Sequence, residues 1–272
     1  PPHMPIDLPD KVIVIPGASS GIGAATALAC PRAGMHVVVH GRDADRLSQV
    51  AAEVQRLGRR AEQIVGDVAQ SGFNERLLDH AESSLGGFYA VFANAGYGFR
   101  KPMHETTDAD LRQIFEVNFF AATQLMTAAA RRLIALRRPG HLLQCSSALA
   151  KFAIPFHAPY CATKAAQNHI CRGMALELRP HGIHVASVHP ITTRTAFFTR
   201  VEQYTDPQAD PARAMDHVPT WMIQAPETVA NAVVRCLRRP RPEVWTSPLT
   251  RVACGLMTIF PRFMDLIGGQ VK

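Results

Sequence analysis

The chain has 272 residues, with 29 Lys plus Arg against 22 Asp plus Glu, a formal charge of +7, 47% hydrophobic residues and 19% charged ones. That apolar fraction fills a sizeable core and excludes a disordered, collagen-like or coiled-coil chain. The basic excess reads either as an Arg-rich surface or as attraction to something acidic: a phosphorylated cofactor, an acyl carrier or CoA, or a membrane surface. Nucleic acid is disfavoured, because the arginine pairs at 59–60, 131–132, 137–138 and 238–239 are scattered and no nucleic-acid-binding motif accompanies them.

Residues 1–4 (Pro-Pro-His-Met) read as a cloning scar and are set aside. Beyond them, apolar runs alternate with helical patterns. Lys11–Pro16 is a short continuous apolar run, the mark of a strand buried on both faces. A helix over Gly21–Ala33, a strand over Met35–His40 and an amphipathic helix over Ala44–Leu57 follow, the last with Leu47, Val50, Val54 and Leu57 on one side. The pattern continues with strand Arg60–Val65, helix Asn74–Leu85 and strand Phe88–Ala93. One long helix is expected over Asp108–Leu136, then strand Gly140–Ser146 and helix Ala158–Leu178, opened by Pro159. Strand Gly182–Val188, helix Pro226–Leu237 and strand Glu243–Thr246 close the pattern. Such alternation predicts an α/β fold: one domain over residues 5–248, a doubly wound parallel sheet of about seven strands with helices on both faces.

Two regions break the alternation. Residues 193–225 are irregular and follow a strand end, where a substrate-covering lid would sit. Their Phe197, Phe198, Val201, Trp221 and Met222 either pack the lid or mark a hydrophobic substrate. The tail, residues 249–272, is apolar but interrupted by Arg251, Pro261, Arg262 and Asp265, too broken to span a bilayer. It reads as a helix packed on the body or on another subunit, or alternatively as one lying on a membrane surface. Six cysteines without a CxxC pair, and no signal peptide, lead to the expectation of reduced thiols in a cytoplasmic protein. His157 and Cys161 share a helix face as metal ligands do, but no second pair completes a set, so no metal is expected.

The first strand runs into Gly17-Ala18-Ser19-Ser20-Gly21-Ile22-Gly23 and then a helix. Glycine permits a sharp turn and close approach of a ligand, and the N–H groups of a helix start favour a pyrophosphate. The second strand ends His40-Gly41-Arg42, where an NAD-type site usually carries an acid. Gly41 leaves room and Arg42 brings a cation that suits a 2′-phosphate, so NADP(H) is favoured over NAD(H); the alternative is a solvated surface arginine.

Tyr160 and Lys164 lie four apart on a helix and share a face. A nearby ammonium favours the phenolate, and a phenol tuned toward working pH exchanges protons with a carbonyl or alcohol. Ser146-Ser147 end a strand at the carboxyl edge of the sheet, where a hydroxyl can hold the substrate oxygen. Asn118, a polar amide within an apolar helix, needs a partner, and an ordered water is expected.

These pieces, with Asp67-Val68, Asn94-Ala95-Gly96 and Pro190…Thr195, resemble the short-chain dehydrogenase/reductase family over Lys11 to Thr195, and Pro226–Pro248 resembles its closing helix and strand. The resemblance implies a Rossmann-like fold and hydride transfer between a nicotinamide cofactor and a small-molecule carbonyl or alcohol. It makes Tyr160 the general acid/base, and Lys164 the residue that binds the nicotinamide ribose and lowers the Tyr160 pKa. Ser147, thirteen residues before Tyr160, is chosen over Ser146 to orient the carbonyl. Asn118 would hold a water in a proton relay to Lys164. Gly17, Ser19, Ser20, Gly21, Ile22 and Gly23 would seat the pyrophosphate, and Asp67 and Val68 would meet the adenine. Asn94, Ala95 and Gly96 would line the cleft, and Pro190, Thr193 and Thr195 would border the cofactor, with Thr195 at its carboxamide. A homodimer or homotetramer through the two long helices is implied as well. Two positions depart from the family pattern. Pro16 replaces a usual Thr at little expected loss, and Ile191 replaces a usual Gly, which would reshape the substrate pocket or weaken cofactor binding. The readings carried beside the reductase are a non-catalytic NADP(H)-binding regulator and a reductase of carrier-bound ketoacyl groups.

Overall fold

The structure, a computed structural model, describes residues 5–205, 210, 215, 218–260 and 262, without the side chain of Trp221. The continuous apolar runs become strands buried on both faces: β1 (Val12–Pro16), β2 (His36–Gly41), β4 (Ala90–Ala93), β5 (Gly140–Cys145) and β6 (Ile183–His189). β3 (Ala61–Val65) and β7 (Glu243–Trp245) alternate in burial, because each lies at an edge of the sheet. All seven strands pair in parallel, in the order β3-β2-β1-β4-β5-β6-β7.

Alternate side chains of each strand serve opposite faces. Ile13 and Ile15 of β1 join a core with α1 (Gly21–Arg32), α2 (Ala44–Arg56) and α8 (Pro226–Arg238), where Leu47, Val229 and Val233 are buried. Val12 and Val14 face α3 (Phe73–Leu85), α5 (Ala122–Ala135) and α6 (Ala158–Glu177) through Leu77, Leu125, Met126 and Cys171. Each fully buried aliphatic side chain adds about 2 kcal/mol to the sheet-helix sandwich.

Two expectations are corrected. The helix read over 108–136 is α4 (Asp108–Phe115), a π-helical turn (Glu116–Ala121) and α5. Hydrophobic periodicity runs through the turn, but its wider winding re-aims Asn118 into the interior. α4 starts at a capping box in which the Thr107 hydroxyl accepts from Asp110 N and the Asp110 carboxylate accepts from Thr107 N. The second correction is that the irregular region opens with a helix, α7 (Ala196–Thr205), fastened by Thr205 Oγ1 to Arg100 O at 2.7 Å and by Tyr204 OH to Asp110 Oδ1 at 3.0 Å. These anchors come from residues about a hundred positions away, which no local pattern reveals. The tail, read as a helix packed on the body or on another subunit or lying on a membrane surface, begins as α9 (Pro248–Ile259), which packs on the body through one face. The opening residues 1–4, much of 206–217 in the irregular region, Pro261 and the tail beyond 262 lie outside the described residues.

Candidate active site

The glycine-rich turn joins β1 to α1 at the carboxyl edge of the sheet. Gly17 has φ +75°, and a Cβ there would fall 2.9 Å from Ala95 Cα. A Cβ on Gly23 would strike the Gly17 carbonyl and lie 2.7 Å from Asn94 Nδ2. Asn94 Nδ2 itself donates to Gly17 O at 3.1 Å and to Pro16 O at 3.4 Å, tying the turn to the end of β4. Pro16 is the last residue of β1, paired in register with His40, and is accommodated there. Ser20 is the N-cap of α1 but makes no side-chain cap bond, and the first turn holds no acid. The N–H groups of that turn are thus presented to an anion in a cradle that only glycine backbone shapes, which fits a dinucleotide pyrophosphate. Ser19 and Ile22 are half-buried in the same turn.

At the end of β2, a Cβ on Gly41 would meet Ser19 Cβ at 2.9 Å, so any side chain at this position is crowded. Arg42 beyond it is exposed. The nearby carboxylate of Asp43 is committed as the N-cap of α2, accepting from Arg46 N at 3.1 Å and pairing with Arg46 Nε at 3.2 Å. After β3, exposed Asp67 accepts from Ala69 N at 3.0 Å and Val68 is buried. Gly96 borders Asn118 and Lys164: a Cβ on it would lie 3.1 Å from Asn118 Oδ1 and 3.7 Å from Lys164 Nζ.

Ser147, Tyr160, Lys164 and Asn118 come together beneath this edge. Ser147 follows β5 in extended conformation, its Oγ accepting from Leu149 N at 3.1 Å, and its hydroxyl lies close enough to the Tyr160 phenol to favour its ionised form. Ser146 points elsewhere, donating to Lys164 O at 3.0 Å. Lys164 Nζ is buried, donates to Cys145 O at 2.7 Å and stands 5.5 Å from the Tyr160 ring centroid. Burial draws its pKa down to about 8.

Burial is the largest influence on the Tyr160 phenol. Burial pushes the phenol well above its ordinary 10, with a further push from Cys145, against a smaller pull from the Ser147 hydroxyl. Lys164 commits one of its three N–H donors to the Cys145 carbonyl, and Phe197 of α7 covers the Tyr160 ring at 5.6 Å between centroids. A Cβ on Gly98 would sit 2.9 Å from Phe197 Cζ and 3.2 Å from Tyr160 Cδ2, so α7 packs tightly here.

Asn118 is buried beside them. Its side-chain partners are protein groups: Oδ1 accepts from Tyr97 N at 2.9 Å, and Nδ2 donates to Tyr97 O at 2.8 Å and to Thr163 Oγ1 at 3.2 Å. Its carbonyl accepts from Gln167 Nε2. The amide thus locks the strand-to-loop exit at Tyr97 onto α6, because the π turn carries it inward.

After β6, Pro190 O accepts from Ala148 N at 3.0 Å, which joins this segment to the Ser147 turn. Ile191 is half-buried and has no positive φ, so its branched side chain fits the backbone without strain. Thr193 is buried with its hydroxyl donating to Ile191 O at 2.8 Å and accepting from Gln224 Nε2 at 3.0 Å, which directs it to its own segment rather than the glycine turn. Thr195 does stand over that turn, its Cγ2 3.0 Å from where a Cβ on Gly21 would be.

Two residues of the site escaped the sequence reading. Gln167 holds the Asn118 carbonyl; its signal was a polar residue three positions beyond Lys164. His189 holds the Ser147 carbonyl through Nδ1 at 2.9 Å and bonds Ser187 Oγ through Nε2 at 2.9 Å, stacked on Trp245. Burial lowers its pKa to about 4, so the ring is neutral and positions the serine by hydrogen bonding alone. A histidine closing an apolar strand just before Pro190 was the available clue.

The profile of the short chain dehydrogenase family matches residues 11–206. L-xylulose reductase of Mesocricetus auratus is 31% identical over 232 residues, covering 85% of this chain and 90% of that protein. A short-chain type dehydrogenase/reductase from Mycobacterium marinum superposes with a TM-score of 0.78 at 30% identity, covering 88% of this chain and 94% of its own. A short-chain dehydrogenase from Mycobacterium paratuberculosis bound to NAD gives a TM-score of 0.75 at 25% identity, covering 88% and 97%.

Proposed function

Because the chain belongs to the short-chain dehydrogenase/reductase family of oxidoreductases, we propose that it interconverts a carbonyl and an alcohol with NADP(H), using Tyr160 as the general acid/base. When bound, the dinucleotide supplies or takes up the hydride. Gly17, Ser19, Ser20, Gly21, Ile22 and Gly23 hold its pyrophosphate, Asp67 and Val68 its adenine, and Asn94, Ala95 and Gly96 the cleft wall. Pro190, Thr193 and Thr195 would border its nicotinamide end. Ser147 Oγ fixes the substrate oxygen and Tyr160 Oη gives it a proton or takes one back. Lys164 binds the ribose and, while charged, eases loss of the Tyr160 proton. The protonated phenol gives the proton in carbonyl reduction, and the phenolate takes it back in alcohol oxidation.

One observation carries this reading. The Ser147 hydroxyl meets Tyr160, with buried Lys164 one helical turn further on, under the sheet edge that also bears the glycine cradle. The test is oxidation of NADPH followed in the near ultraviolet over a panel of ketones and aldehydes. Tyr160→Phe is expected to lower kcat by about a thousandfold and leave dinucleotide affinity within about twofold. An active Tyr160→Phe variant refutes the assignment. A wild type that binds NADPH tightly and turns over nothing in the panel returns the chain to a regulatory role.

Phe197, packed on Tyr160, and buried Val201 support an apolar substrate. Bulky apolar ketones are expected to turn over faster than L-xylulose, the polar sugar named for the Mesocricetus relative; the reverse order in kcat/KM removes this part of the reading. Exposed Phe120, Ile134 and Leu176, on the π turn, α5 and α6, support a homo-oligomer formed through these helices.

A further inference from the structure

Five of the twelve large apolar side chains exposed among the described residues stand on one short segment. Leu249, Val252, Leu256, Ile259 and Phe260 are 51–69% exposed. Their spacings of three and four place them in a single stripe along α9 and its C-cap. The opposite face is fixed to the body: Cys254 is buried with Sγ 3.9 Å from Ala148 O, next to Ser147. Ser247 caps the helix start, accepting from Thr250 N at 3.2 Å. The stripe is therefore a rigid ridge that the fold presents outward.

Its charge is one-sided. From Pro248 to Arg262 there is no Asp or Glu, and the charged side chains of the segment are Arg251 and Arg262, both exposed. A second copy meeting this face about a twofold axis would set arginine against arginine. An anionic surface complements it, with the apolar stripe below and cations at the headgroups. A helix of this length reaches about 18 Å, short of the roughly 30 Å hydrocarbon core, so it lies in the interface rather than across it.

We propose that α9 docks the protein on an anionic phospholipid surface, with Leu249, Val252, Leu256, Ile259 and Phe260 inserted and Arg251 and Arg262 at the phosphates. α9 leaves the carboxyl end of β7, on the same edge as Ser147, so docking turns the rim of the proposed active site toward the lipid. The inference is independent of the proposed activity.

The test is co-sedimentation of the full chain with vesicles of phosphatidylcholine alone and of phosphatidylcholine mixed with phosphatidylglycerol. The expected result is at least about tenfold stronger partitioning onto the anionic vesicles, weakening as salt is raised. Arg251→Gln lowers that partitioning about fivefold. The double variant Val252→Glu/Leu256→Glu lowers it more than about tenfold, with the melting temperature and NADPH affinity of the wild type. A folded wild type that ignores both vesicle types overturns the proposal, as does equal binding to both. Loss of a dimer on gel filtration of the double variant, without any vesicle binding by the wild type, overturns it in favour of a second copy. Should the double variant unfold, Arg251→Gln decides alone: unchanged partitioning rejects the proposal.

Discussion

In the proposed reading, Arg42 would set cofactor choice through what its neighbours are already doing. Gly41 is crowded by Ser19, and Asp43 is held at the start of α2, so the position after β2 offers an exposed cation and no free carboxylate. A charge-assisted bond to a 2′-phosphate is worth about 2 kcal/mol, or about thirtyfold in affinity. Arg42→Asp is therefore expected to weaken NADPH by about that factor and NADH by much less, read as dissociation constants from fluorescence titration. An unchanged NADPH constant would mean that Arg42 is solvated and idle. At this scale the sequence already named Ser147, Tyr160, Lys164 and Asn118, and the structure brings all four to one place. It did not disclose how they are held. Gln167 and His189 act on backbone carbonyls of Asn118 and Ser147, and a carbonyl leaves no signature in sequence.

Among the elements, the first turn and its helix depend on absent side chains. Gly23→Ala would drive a methyl group into the Gly17 carbonyl and against the Asn94 amide. Overpacking of this kind costs about 1–3 kcal/mol, and here the displaced atoms form the cradle itself. The expected outcome is a lower melting temperature together with a dinucleotide dissociation constant raised more than about tenfold. A variant that melts lower but binds normally would separate the turn from the cofactor. Element boundaries were mostly legible, since burial on both faces writes itself as unbroken apolar runs in β1, β2 and β4. The exceptions were the π turn around Asn118 and helix α7. One is a change of winding inside a continuous apolar pattern, and the other is fastened by Arg100 and Asp110, far away in sequence.

Across the whole molecule, burial imposes a pH dependence. His141 is fully enclosed in β5 beside His184 and Cys236, and its pKa falls from an ordinary 6.5 to about 3; that of His189 falls to about 4. Both are neutral in the folded protein, so the unfolded chain binds more protons below pH 6.5. Stability is fully present above pH 6.5 and is lost on acidification toward about pH 4, at up to about 1.4 kcal/mol per pH unit for each ring. Chemical denaturation across that window measures the slope, and His141→Leu is expected to remove about half of it. A slope unaltered in the variant would assign the acid sensitivity to other groups.

The sequence by itself determined the α/β class, the strand and helix succession and the placing of a glycine turn between a buried strand and a helix. Those depend on local geometry and on the burial of consecutive side chains, which periodicity records. Only the tertiary structure decided the order of the sheet, the covering of Tyr160 by Phe197 and the upward push on its phenol. It also decided that α9 keeps one apolar face outward. Each of these results from which distant segments come to lie against one another, and desolvation and contact act through that proximity in space.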